Sequence, residues 1–82
     1  MLYMCYGVDG ENGAERRKTA REEHFAYLKA HEDILVLGGA TLEDDSETRL
    51  GSCLIINVLN RAAADAFADD EPLRKAGVFD SY

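Results

Sequence analysis

The sequence predicts an α+β fold: one four-stranded antiparallel sheet with its helices on one face. Three observations carry this. Apolar runs of strand-like period alternate with helical runs in the order β-α-β-β-α-β. The runs are separated by turn-forming stretches, "DGENG" at 9–13 and the polar "EDDSETR" at 43–49. The length, 82 residues, suits a single small domain spanning 1–82.

Residues 1–8, "MLYMCYGV", read as the first strand, and residues 14–31 as a helix. Residues 34–42, "ILVLGGATL", read as the second strand, with Gly38 and Gly39 marking a kink or a close backbone approach. After the 43–49 loop, "GSCLIINVL" at 51–59 is the clearest strand. Asn60 is placed to N-cap a helix over 61–69. Pro72 suits the first turn of a further short helix that Gly77 can end. "VFDSY" at 78–82 gives the last strand. This order is the ferredoxin-like arrangement.

Both faces of these strands are apolar. Leu54, Ile56 and Val58 oppose Cys53, Ile55 and Leu59; Leu2, Met4 and Tyr6 oppose Tyr3 and Cys5; Ile34 and Val36 oppose Leu35 and Leu37. A half-solvated antiparallel sheet would alternate apolar with polar residues. Two helices cover one face, so a homodimer packed sheet to sheet is expected to cover the other.

Composition excludes several classes. The 16 acidic and 9 basic residues give a net charge of −7, which is unsuited to a nucleic-acid backbone. No apolar run approaches the roughly 18 residues of a membrane span. The N-terminal run has no basic start and no small-residue cleavage site, so it reads as a strand and not a signal peptide. Cys5 and Cys53 lie far apart in strand-like runs, as core thiols would, and a cytoplasmic location is expected. No metal and no organic cofactor is expected. Metal-ligand spacing is missing, and "LGGAT" lacks the lysine of a phosphate-binding loop.

On a helical wheel, Ala20, His24, Tyr27 and Leu28 share one side, with Phe25 and His31 at its margins. Arg21 and Arg17 flank that side. Glu15, Lys18, Glu22 and Lys29 form the wet face. His24 therefore sits at the centre of the stripe that packs on the sheet. A buried, hydrogen-bonded core histidine is the plain account of it. A second stretch, "DDEPLRKAGVF", supplies the functional one. Asp70 and Glu71 precede Pro72, where capping alone explains a carboxylate. A carboxylate held there can also orient an imidazole and leave its other nitrogen free to move a proton. His31, at the helix end, suits the exposed carbonyls.

These features together resemble the YCII-related (YciI-like) family. The matching stretches are "MLYMCY", Arg21-x-x-His24-x-x-Tyr27-Leu28, "LGGATL", "GSCLIINV" and "EPLRKAGVF". The resemblance implies a dimeric α+β barrel. It also implies an active-site pair of the helix histidine, here His24, and an aspartate of an Asp-Pro-Phe motif. Glu71 stands at that aspartate's position and Leu73 at the aromatic one, and Asp70 is the neighbouring carboxylate. Family members usually run somewhat beyond the position of Tyr82. Superfamily relatives include muconolactone isomerases and dehydrochlorinases, which move protons on small cyclic substrates without metal.

Two functions are therefore expected to compete. One is a cofactor-independent lyase- or isomerase-type enzyme on a small cyclic or anionic ligand. In it His24 is base or acid, Glu71 or Asp70 is its orienter, and Arg21 and Ser52 anchor the substrate oxygen. The other is a non-catalytic homodimeric module that binds a small ligand or another protein. An open pocket beside His24 favours the first.

Overall fold

The computed structural model describes residues 1–45 and 47–82; Ser46, within the expected 43–49 loop, lies outside the described residues. The elements are β1 (Leu2–Asp9), α1 (Gly13–Ala30), β2 (Leu35–Leu42), β3 (Arg49–Asn57), α2 (Arg61–Asp69), α3 (Pro72–Lys75) and β4 (Phe79–Ser81). The strands form one antiparallel sheet in the order β2-β3-β1-β4. The expected β-α-β-β-α-β order is therefore the observed one, with α3 as the short helix introduced by Pro72.

Local sequence explains the boundaries. The Asn60 side chain accepts from Ala63 N at 3.0 Å and starts α2. Gly77 follows α3 at φ 77°, a left-handed conformation that glycine adopts without a Cβ clash. Two expectations need correction. β3 runs from Arg49 to Asn57 and not over 51–59, so Arg49 leaves the expected loop while Val58 and Leu59 fall beyond the strand. Simple alternation over 34–37 also fails. Leu35 pairs with Ile56 but Leu37 with Ile55, so Val36 is an extra residue in the ladder. Leu35 consequently packs on the core while Leu37 lies on the other face, 59% exposed. The kink is at Val36; Gly38 is the close approach, since a Cβ there would lie 2.9 Å from Leu54 Cδ2.

The core lies between the sheet and the helices. Cys5, Leu54 and Ile56 from the sheet meet Ala64 and Phe67 of α2, with Tyr27 and Leu28 of α1 packed against them. A smaller cluster of Ala20, Leu73 and Val78 joins α1 to α3 and the approach to β4. The Tyr27 hydroxyl donates to the Phe67 carbonyl at 2.8 Å, tying α1 to α2. The opposite face is bare and apolar: Leu2 and Met4 are each 65% exposed, and Tyr6 and Val8 continue the row. Among the described residues no helix is long and apolar enough to cross a membrane.

Candidate active site

Helix α1 lays His24 over β2 and β3, and the chain between α2 and α3 brings Glu71 up to it. The two residues are 47 apart in sequence. His24 Nδ1 is 2.6 Å from Glu71 Oε1. The Glu71 side chain is 1% exposed and that of His24 is 15% exposed. Glu71 is also the N-cap of α3: Oε1 accepts from Leu73 N and Oε2 from Arg74 N, each at 3.3 Å. Capping and imidazole orientation are thus done by one carboxylate.

These contacts fix the roles. An ionised carboxylate only accepts, and Glu71 already accepts from two backbone N–H groups. The short contact to His24 is therefore a donation from Nδ1–H. Nε2 is left as the ring nitrogen that can meet a ligand. Asp70 does not share this position. It is exposed, C-caps α2 and makes no hydrogen bond to His24 among the described residues. His31 Nδ1 donates to the Tyr27 carbonyl at 2.8 Å, the end-of-helix contact its position suggests.

Two cavities meet at His24. One, of about 180 Å³, lies between α1 and the sheet; Leu28, Leu35, Leu54 and Gly38 give it apolar walls, and Ser52 and Arg49 polar ones. The other, of about 70 Å³, is bounded by Arg17, Arg21 and Arg49. His24, Phe25 and Arg49 line both. Arg21 and Ser52, expected as substrate anchors, therefore line different cavities, Arg21 the smaller and Ser52 the larger. Arg49 escaped sequence reasoning because the acidic run before it reads as loop. Strand alternation gives no signal for it, since counting back from Cys53 and Gly51 puts position 49 on the face opposite Ser52 and Leu54. Arg17 Nη2 pairs with Asp9 Oδ1 at 2.5 Å. Burial, then the charges of Arg17 and Arg21, lower the Arg49 guanidinium from its usual range, with Asp9 opposing. Among the described residues, no three His, Cys, Asp or Glu side chains gather as a metal site would require.

The YCII-related domain profile matches residues 1–82, the whole chain. The chain belongs to the YCII-related family. It is 31% identical to Protein YciI of Escherichia coli O6:H1 over 87 aligned positions, covering 98% of this chain and 89% of that one. An uncharacterized protein of Haemophilus influenzae is 31% identical over 86 positions, covering 96% of this chain and 88% of the relative. Among solved structures, 5-chloro-2-hydroxyhydroquinone dehydrochlorinase (TftG) of Burkholderia phenoliruptrix AC1100, in complex with 2,5-dihydroxybenzoquinone, superposes with a TM-score of 0.85 at 28% identity. The match covers 99% of this chain and 87% of TftG. A YCII-related chain with the α+β fold of a dehydrochlorinase is thus a candidate enzyme of that family.

Proposed function

We propose that this YCII-related protein is a small-molecule enzyme of the lyase or isomerase type, with His24 as general base and Glu71 as its positioning residue. The observation that carries the reading is the 2.6 Å His24–Glu71 contact at the junction of two cavities. A core histidine would need only a partner; this one also borders open space. The likeness to a dehydrochlorinase supports the reaction class.

The step uses the chain's own residues. Nε2 takes a proton from a carbon next to a carbonyl or its vinylogue, and the C–H electron pair moves into the conjugated system to form an enolate. Returning the proton to a different carbon completes an isomerisation. Expelling a leaving group such as chloride with that electron pair completes an elimination. Glu71 stabilises the imidazolium that forms in between. In this reading Ser52, on the wall of the larger cavity, donates to the developing oxyanion. General base help of this kind is worth about 10²–10⁴ in rate.

Incubation of the full chain in D2O with butenolides, whose ring protons exchange slowly in buffer, tests this, read by mass spectrometry. Deuterium incorporation that His24→Asn abolishes, with the fold intact, is expected. Incorporation that His24→Asn leaves unchanged, or none above the buffer rate, contradicts it and favours the ligand-binding module.

We further propose that the protein is a homodimer closed across the bare sheet face. Leu2, Met4, Tyr6 and Val8 of β1 and, across β3 on the same face, Leu37 of β2 are exposed apolar side chains. A surface of this kind is normally covered by a partner. A second copy is self-complementary to it by two-fold symmetry.

A further inference from the structure

The two cavities at His24 differ in chemistry, and the difference bears on the substrate. The larger has the apolar side chains Leu28, Leu35 and Leu54, and at about 180 Å³ it is comparable to cavities of about 150 Å³ that take one benzene ring. The smaller, about 70 Å³, has room for about two waters, or one carboxylate. Three of the chain's nine Lys and Arg residues line it, in a protein of net charge −7. Only Arg17 among them has a carboxylate partner among the described residues, Asp9. Arg49 spends its Nε on the Gly51 carbonyl at 3.3 Å. Arg17 is 7% exposed, and its Nε and Nη1 are buried with no partner among the described residues. Buried donors without acceptors are costly, and an acceptor in the notch relieves them.

We propose that the pocket selects a small ring compound bearing a carboxylate. The ring lies against Leu35 and Leu54, and the carboxylate lies in the notch lined by Arg17, Arg21 and Arg49. The inference rests on the reading of the His24 pocket as a small-molecule site. Arginine is suited to this because its planar fork matches a carboxylate with two parallel hydrogen bonds. His24 and Arg49 line both cavities, so the reacting carbon of such a compound falls beside His24 when its carboxylate is held. The proposed class differs from the ligand in the TftG complex, 2,5-dihydroxybenzoquinone, which has no carboxylate.

A matched pair of probes tests it: 2-hydroxybenzoate and 2-hydroxybenzamide, which share shape and differ in charge. Titration of the ¹⁵N-labelled full chain by NMR gives both affinities. The carboxylate is expected to bind on the order of tenfold or more tightly than the amide. The preference should shrink to about threefold or less in Arg49→Gln and in the double variant Arg21→Gln/Arg49→Gln. Arg49→Lys, which keeps the charge but not the fork, should fall between. Equal binding of the two probes overturns the proposal. So does no carboxylate binding at millimolar concentration, or a preference unchanged in the double variant. The readout is binding alone. A pocket that prefers the carboxylate but exchanges no deuterium therefore overturns the proton-transfer reading and not this one, and exchange without the preference does the reverse.

Discussion

The Glu71 carboxylate accepts from the His24 ring and from two backbone N–H groups of α3. Removing it therefore does more than disable an orienting group. Glu71→Ala leaves a buried imidazole N–H and a helix start without acceptors. Losing a cap costs about 0.5–2 kcal/mol, and a buried unpaired polar group about 1–3 kcal/mol. Urea unfolding of Glu71→Ala should show a loss of about 2–4 kcal/mol in total. A loss within experimental error would mean the carboxylate carries none of these bonds in solution. Sequence revealed His24 because one polar residue in an apolar helical stripe demands a partner. It narrowed that partner to Asp70 or Glu71 and favoured Glu71 for its position before Pro72; burial of Glu71 and exposure of Asp70 are what separate them in the fold. Arg49 was hidden for a physical reason. The β2–β3 register shifts between Thr41 and Leu42, opposite Arg49. At such an irregularity the two-residue strand period no longer tells which face a side chain takes.

At the level of elements, apolar runs and turn chemistry placed every strand and helix to within about two residues, because the strands are short apolar runs bounded by turn-forming stretches and α2 carries a clear apolar face behind its Asn60 cap. The bulge at Val36 was not legible, since an inserted apolar residue in an apolar run leaves no mark. Two glycines make the elements testable. Gly77 holds φ 77° after α3, and a Cβ there would also lie 2.5 Å from Arg16 Nη1. Gly77→Ala should cost about 1–2 kcal/mol, read by urea unfolding. No change would contradict the left-handed turn. Gly38→Val puts its side chain against Leu54 and into the larger cavity. It should abolish 2-hydroxybenzoate binding in the NMR titration while the chain stays folded. Undiminished binding would place the ligand elsewhere.

For the whole molecule, assembly and alkaline stability are the relevant observables. The bare face should hold two chains together, so sedimentation at micromolar concentration should give twice the 9.1 kDa chain mass. Met4→Glu and Leu37→Glu place charges on that face and should each yield monomer. A wild-type monomer would refute the sheet-to-sheet arrangement. Burial pushes the pKa of Cys5 and of Tyr82 above their ordinary values of 9.0 and 10.0. The folded state then keeps these protons where the unfolded chain has lost them. Their stabilisation is complete below about pH 9 and falls as the pH rises above it. Thermal melts should decline above that pH, and Tyr82→Phe should decline less steeply than wild type. Parallel declines would show that Tyr82 is not buried in solution.

The most direct test of the His24–Glu71 assignment is the tautomer of the His24 ring. A long-range ¹H–¹⁵N NMR spectrum of the full chain reads it, taken where the imidazole is neutral. The 2.6 Å contact to an accepting carboxylate requires a protonated Nδ1 and a bare Nε2. That pattern in wild type is the predicted result. A protonated Nε2 with a bare Nδ1 would contradict it, because no free basic nitrogen would then face a substrate.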